Sequence, residues 1–244
     1  TNITGASNVA VGVNSLYFNT SGDFNVALGF QALTTNTTAD NNTAVGYQSL
    51  LSNSTGHSNT AVGSFALDAN DTGNHNTGVG IHTLSANTTG GDNVAIGDYA
   101  LYNNTTASNN TAVGSDALIA NTTGTQNTAV GSGALDACTT ASYNTAVGYI
   151  AGSTQTTAAE NTFIGAYAGA LTTTGANNTS VGNSALYVNT TGANNTAVGR
   201  EALVLNTTGS YGVAIGSGAL DANTTGSENV AVGVNALGSN TTAD

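Results

Sequence analysis

The chain has 244 residues, 13 of them acidic and one basic, for a net charge of −12 and a pI near 4.1. With no lysine, and Arg200 as its one arginine, it lacks the clustered cations that hold a phosphate backbone or an anionic membrane surface. Cys138 alone cannot make an intrachain disulfide, no paired Cys or His ligands suggest a zinc site, and no apolar run reaches membrane-spanning length.

From Gly12 to Gly233 a glycine preceded by Val, Ile or, once, Leu28 returns every seventeenth residue, giving fourteen copies with no insertion or deletion. Such a period means stacked units, each too small to fold alone. Numbered from its Asn, a typical copy is residues 110–126, Asn-Thr-Ala-Val-Gly-Ser-Asp-Ala-Leu-Ile-Ala-Asn-Thr-Thr-Gly-Thr-Gln. Seventeen residues are too few for a helix pair, and Asn, Gly and β-branched residues are poor helix formers. The pattern predicts a short strand at positions two to four and a glycine bend at five. A second short strand around the Ala-Leu of eight and nine follows, then an Asn-Thr-Thr-Gly turn. One such circuit is one coil of a parallel β-solenoid, and the fold class is all-β.

Equivalent residues of stacked coils lie about 4.8 Å apart, so columns carry the argument. Strand alternation predicts positions two and four on one face and one, three and five on the other. The aliphatic column at four (Val11, Leu28, Val45, onward to Val232) and the leucine column at nine (Leu16 to Leu237, broken at Gly152 and Gly169) are the expected core. Position three is small, as in Ala10, Ala27, Ala44, Ala61 and Gly78, so another backbone must come close there: the coil's own far wall or a neighbouring chain. Position one is Asn in every copy except at Gly212, and position twelve is Asn from Asn2 through Asn121 and from Asn189 through Asn240. Stacked in register, these predict side-chain amide ladders, with Asn42, Asn110, Asn121 and Asn195 as representatives. The Asn-Thr-Thr triplets also have the form of N-glycan acceptors.

Positions six, seven, ten, eleven, sixteen and seventeen vary freely and are expected to face outward. Most aromatics fall there, and Tyr99, Tyr102, Tyr149 and Tyr167 are the candidate recognition residues. Cys138 replaces a turn Asn and reads as a tolerated small residue. In the ninth and tenth copies Gly152 and Gly169 replace core leucines, while Phe163 enters the small column. Ile150, Leu171 or Phe163 could fill the space, and the Phe is expected to push neighbouring backbone apart. Asp68, Asp136 and Asp221 share position ten without a calcium-roll motif, and His57, His75 and His82 fall in three columns with no spaced nucleophile. Neither metal, cofactor nor enzymatic activity is expected.

The pentapeptides Asn-Thr-Ala-Val-Gly at 42–46, 110–114 and 195–199, and Asn-Val-Ala-Ile-Gly at 93–97, resemble the head repeat of YadA-like trimeric autotransporter adhesins. Related repeats are similar to those of phage and phage-like tail fibres. The resemblance implies a left-handed β-roll, three chains around one axis, and a place on the cell or virion surface. It also implies attachment to host, matrix or cell-surface protein or glycan. This repeat is longer than the family's, by an added Asn-Thr-Thr-Gly turn. A lone coil buries few large side chains, which independently favours oligomerisation; in the homotrimer that the resemblance implies, the axis is expected to be lined by positions one, three and five. Two alternatives stand: a structural filament or sheath without a receptor, and an ice-binding solenoid, disfavoured because position two is expected to face inward. The chain reads as one array, 1–244, cut from a longer fibrous protein.

Overall fold

The computed structural model describes residues 3–244, and the chain divides into two compact units, Thr1–Thr125 and Gln126–Asp244. Strands β1 (Val9–Val11) to β7 (Thr111–Val113) belong to the first and β8 (Thr128–Val130) to β14 (Val230–Val232) to the second. Each unit is a parallel β-solenoid without helix among the described residues. Every strand pairs in parallel with the next strand of its unit, residue against its equivalent one repeat on. Examples are Thr43↔Thr60 and Ala44↔Ala61 in the first unit and Thr179↔Thr196 in the second.

Each coil contributes one strand of three residues, and the expected second strand is absent. Positions seven and nine take left-handed backbone instead, as at Gln48 (φ 54°) with Leu50 (φ 48°), or His82 (φ 53°) with Leu84 (φ 50°). That alternation breaks the extended conformation while keeping bonds between coils: Gln48 N–H donates to Phe30 O at 2.9 Å and Leu50 N–H to Ala66 O at 3.0 Å. It also explains the choice of Leu at position nine. A β-branched side chain is strongly disfavoured at positive φ, so Ile and Val are excluded where a large buried aliphatic is needed.

The strand faces the opposite way from that expected. Position three is inside, with Ala27, Ala44, Ala61, Ala95 and Ala112 fully buried, and the Asn of position one is inside with it. The aliphatic column at four lies outside, Val11 being 54% exposed and Ile215 42%. The coil is narrow: a Cβ built on Gly78 would lie 2.8 Å from Thr83 Oγ1 and 3.5 Å from Leu67 Cδ1 of the far wall. One small column therefore faces the Ala and Leu of positions eight and nine, and a second aliphatic column has no room. The close approach at position three is to the coil's own far wall. Positions one and three thus cannot line an axis between chains, and Ala112→Leu would overpack the coil itself.

The glycine column at five is a second constraint. Gly165 has φ 133°, and a Cβ there would lie 2.5 Å from the carbonyl oxygen of Gly182. Around β10 (Thr162–Ile164) the core changes hands: Phe163 is fully buried, and a Cβ on Gly152 would lie 2.6 Å from its Cδ2. A Cβ on Gly169 would meet the same ring, so one Phe fills the space of two leucines. Ile150 is half-buried and Leu171 is 36% exposed, so neither is the filler. The bonds between coils are not stretched there. Thr145 N–H to Asn161 O and Thr162 N–H to Asn178 O are both 2.8 Å, as is Thr43 N–H to Asn59 O elsewhere. The missing leucine side chains leave room for the ring.

Candidate recognition surfaces

Two columns of asparagine hold the turn. Asn42 donates Nδ2–H to Gly56 O at 2.9 Å, and its Oδ1 accepts the backbone N–H of Asn59 at 3.0 Å. Asn195 repeats this with Gly209 O (2.8 Å) and the N–H of Gly212 (2.8 Å), so the glycine that interrupts the column keeps the backbone donor. Asn110 Nδ2 and Asn121 Nδ2 converge on Gly124 O at 2.8 and 3.0 Å, and Asn121 also donates to Asn104 Oδ1 at 2.9 Å. Asn2 lies outside the described residues.

The position-twelve ladder lapses at three consecutive copies in the second unit. Gln155 substitutes best, donating Nε2–H to Ala158 O at 2.7 Å and accepting from Asn161 Nδ2 at 3.1 Å. The Thr172 hydroxyl is buried without a partner. Cys138 is buried, with Sγ 3.9 Å from Ala141 O, and burial pushes its thiol up to about 11, so it is a poor nucleophile.

The four candidate tyrosines form two pairs, one in each unit. Tyr149 and Tyr167 meet edge to face at 5.4 Å, and Tyr167 lies 6.3 Å from Tyr187. Tyr99 and Tyr102 lie 5.6 Å apart and continue a longer stripe. Tyr99 stacks on His82 (5.3 Å), His82 on Phe65 (4.9 Å), Phe65 meets Tyr47 edgewise (5.2 Å), and Tyr47 stacks on Phe30 (5.3 Å). Sequence columns conceal this run because it steps from position six to position seven between Tyr47 and Phe65. The rings of Phe30 and Tyr47, and of Phe65, His82 and Tyr99, turn their faces toward one another. Beside it Asp68 accepts a hydrogen bond from Ser85, and burial raises its carboxyl above the usual 3.8 despite that bond and the neighbouring His82.

The third surface was unexpected. Positions two and four of successive strands place Thr43 and Val45, Thr60 and Val62, Thr111 and Val113 on the outer face of the sheet, all partly exposed. No charged residue stands in either column. Elsewhere His57 and His75 lie 5.1 Å apart, and His75 Nδ1 is 3.5 Å from Asp92 Oδ1 on the exposed turn. No cluster of three or more metal-capable side chains forms among the described residues, and no helix there is long and apolar enough to cross a membrane. The coils thus define a repeat protein of parallel β-solenoid type. Set against known proteins, the chain matches no protein-family model and no curated protein.

Proposed function

We propose that the chain is part of an extracellular fibrous surface protein, an adhesin head or tail-fibre-like shaft of YadA-like type. In this reading it is a left-handed β-roll, three identical chains pack around one axis, and the assembly attaches to host, matrix or cell-surface protein or glycan. The observation that carries the reading is the uncharged face of positions two and four, whose aliphatic side chains remain exposed on an otherwise complete coil. Contiguous exposed apolar surface on a soluble protein marks an interaction site. A second copy of the same array offers columns of identical spacing, so Val and Thr can interdigitate coil for coil, while the 13 acidic residues stay off the two columns. The shared axis is then lined by positions two and four.

Sedimentation equilibrium tests the assembly. The expected result is a trimer, converted by Val45→Asp, Val62→Asp and Val113→Asp together to a monomer with an unchanged circular dichroism spectrum. A wild-type chain that remains monomeric at tens of micromolar would overturn it. Attachment is placed on the aromatic pairs: Ala at Tyr99, Tyr102, Tyr149 and Tyr167 is expected to reduce surface binding while leaving the assembly trimeric.

The outward turn of Thr43, Thr60 and Thr111 also supports a second reading, in which ordered water on the Thr and Val columns binds ice. Thermal hysteresis of dilute protein separates the two, and its presence with a monomeric chain would favour ice.

A further inference from the structure

Most Asn-x-Ser/Thr triplets of the chain are of two kinds, and the fold separates them. In the first, the Asn stands at position twelve, as Asn36, Asn53, Asn70 and Asn87, and is fully buried. Its amide nitrogen is committed: Asn87 Nδ2 donates to Asn70 Oδ1 at 2.7 Å and to Gly90 O at 3.0 Å. A substituent there would displace both acceptors and collide with the adjoining coil.

In the second kind the Asn stands at position seventeen: Asn41-Asn42-Thr43, Asn109-Asn110-Thr111, Asn177-Asn178-Thr179 and Asn194-Asn195-Thr196. All four acceptor residues are exposed. Each occupies left-handed backbone, with φ 60°, 62°, 59° and 59°, at the outer corner of the coil. The main chain fixes the corner, since Asn41 N–H donates to Asp23 O at 3.0 Å and Asn194 N–H to Ala176 O at 3.0 Å. Their carboxamides take part in neither asparagine ladder. Asn103, in the triplet Asn103-Asn104-Thr105, is also exposed, but its Nδ2 is held by Ile119 O at 3.0 Å.

We propose that Asn41, Asn109, Asn177 and Asn194 are acceptor sites for N-linked sugar, and that the buried position-twelve triplets, from Asn19 to Asn223, are closed to it by the fold. The donor class is a sugar activated through its anomeric oxygen by a lipid-linked or nucleotide diphosphate. In the transfer the C1–O bond to the diphosphate breaks and C1–Nδ2 forms. Nδ2 loses one proton to the transferring enzyme, and the diphosphate leaves with the bonding pair; nothing is oxidised or reduced. Asn177 and Asn194 lie on neighbouring coils, about 4.8 Å apart, so a sugar on one obstructs the other. Three sugars per chain are expected.

The test uses the folded chain, a single-subunit oligosaccharyltransferase already shown to glycosylate a free Asn-Asn-Thr peptide, and its lipid-linked oligosaccharide. Intact mass and peptide mapping should place sugar on Asn41, on Asn109 and on one of Asn177 or Asn194, with none on the buried Asn of position twelve. The variant carrying Gln at all four should fold normally, since Gln126 already holds position seventeen at φ 59°, and should gain no mass. An unmodified folded chain, sugar on a buried position-twelve Asn, or undiminished mass gain in the four-Gln variant would each overturn the assignment.

Discussion

At the scale of single residues, left-handed backbone decides more of the sequence than hydrophobicity does. Position seven takes positive φ in copy after copy, held by Asn14, Gln31, Gln48 and Asp116, and Ile150 is its β-branched exception at φ 57°. Strain of that kind costs on the order of 1 kcal/mol, and Asn tolerates the conformation best after Gly. Ile150→Asn is therefore expected to stabilise the protein by roughly 0.5–1 kcal/mol in urea unfolding. Asp68 bears on pH. Burial raises its folded-state carboxyl above 3.8, so protonation favours the fold, and the stabilising contribution is lost as pH rises through that raised value. Asp68→Asn should consequently raise the thermal midpoint at neutral pH, with the difference vanishing once the medium is acidic enough to protonate the wild-type side chain. A difference that grew on acidification would contradict the assignment.

At the scale of the coil, the period, the parallel register, the leucine column and the turn asparagines were all legible in the amino-acid sequence. Insertion-free repetition leaves no other way to stack them. The facing of the strand was not legible. A three-residue strand such as Thr43-Ala44-Val45 offers Val to one side and Ala to the other, and hydrophobicity alone favours burying Val. Interior width reverses the choice, and width depends on the far wall, whose tight left-handed path had first to be known. The signal lay in column nine, where a core position accepts Leu or Gly but never Ile or Val. Phe163 shows the same width from the other side. Phe163→Ala should cost about 4 kcal/mol by leaving the space unfilled. Adding Gly152→Leu and Gly169→Leu to it should recover most of that loss, because Leu occupies the same left-handed backbone in other copies, as Leu135 does at φ 50°. A triple variant less stable than Phe163→Ala alone would show that the ring does more than fill volume.

At the scale of the molecule, the surfaces divide by chemistry. All acidic side chains but Asp71, and most aromatics, occupy the variable outer columns, whereas the Thr and Val face is uncharged. The aromatic stripe from Phe30 to Tyr102 could not be read from columns, because the rings change position midway while remaining neighbours in space. The candidate tyrosines were legible as outward-facing residues, and their pairing was not. Pairing depends on side-chain reach between coils, which a repeat alignment does not contain.

The direction of the backbone bonds has a mechanical consequence. Within each unit the backbone bonds other than those of the tight turns join one coil to the next, as Thr60 N–H joins Asn76 O and Leu67 N–H joins Thr83 O, so these bonds lie along the stacking direction. A pull between the first and last coils of a unit loads them in series, and the outermost coil should yield first. Each failure frees one repeat, a contour gain of about 53 Å once the original spacing is subtracted. Force spectroscopy on the residues of either unit should record a regular train of such steps at similar force, and in the second unit one stronger event where the ring of Phe163 ties two coils together. A single cooperative rupture releasing a whole unit would mean that the side-chain ladders bind the coils into one mechanical body.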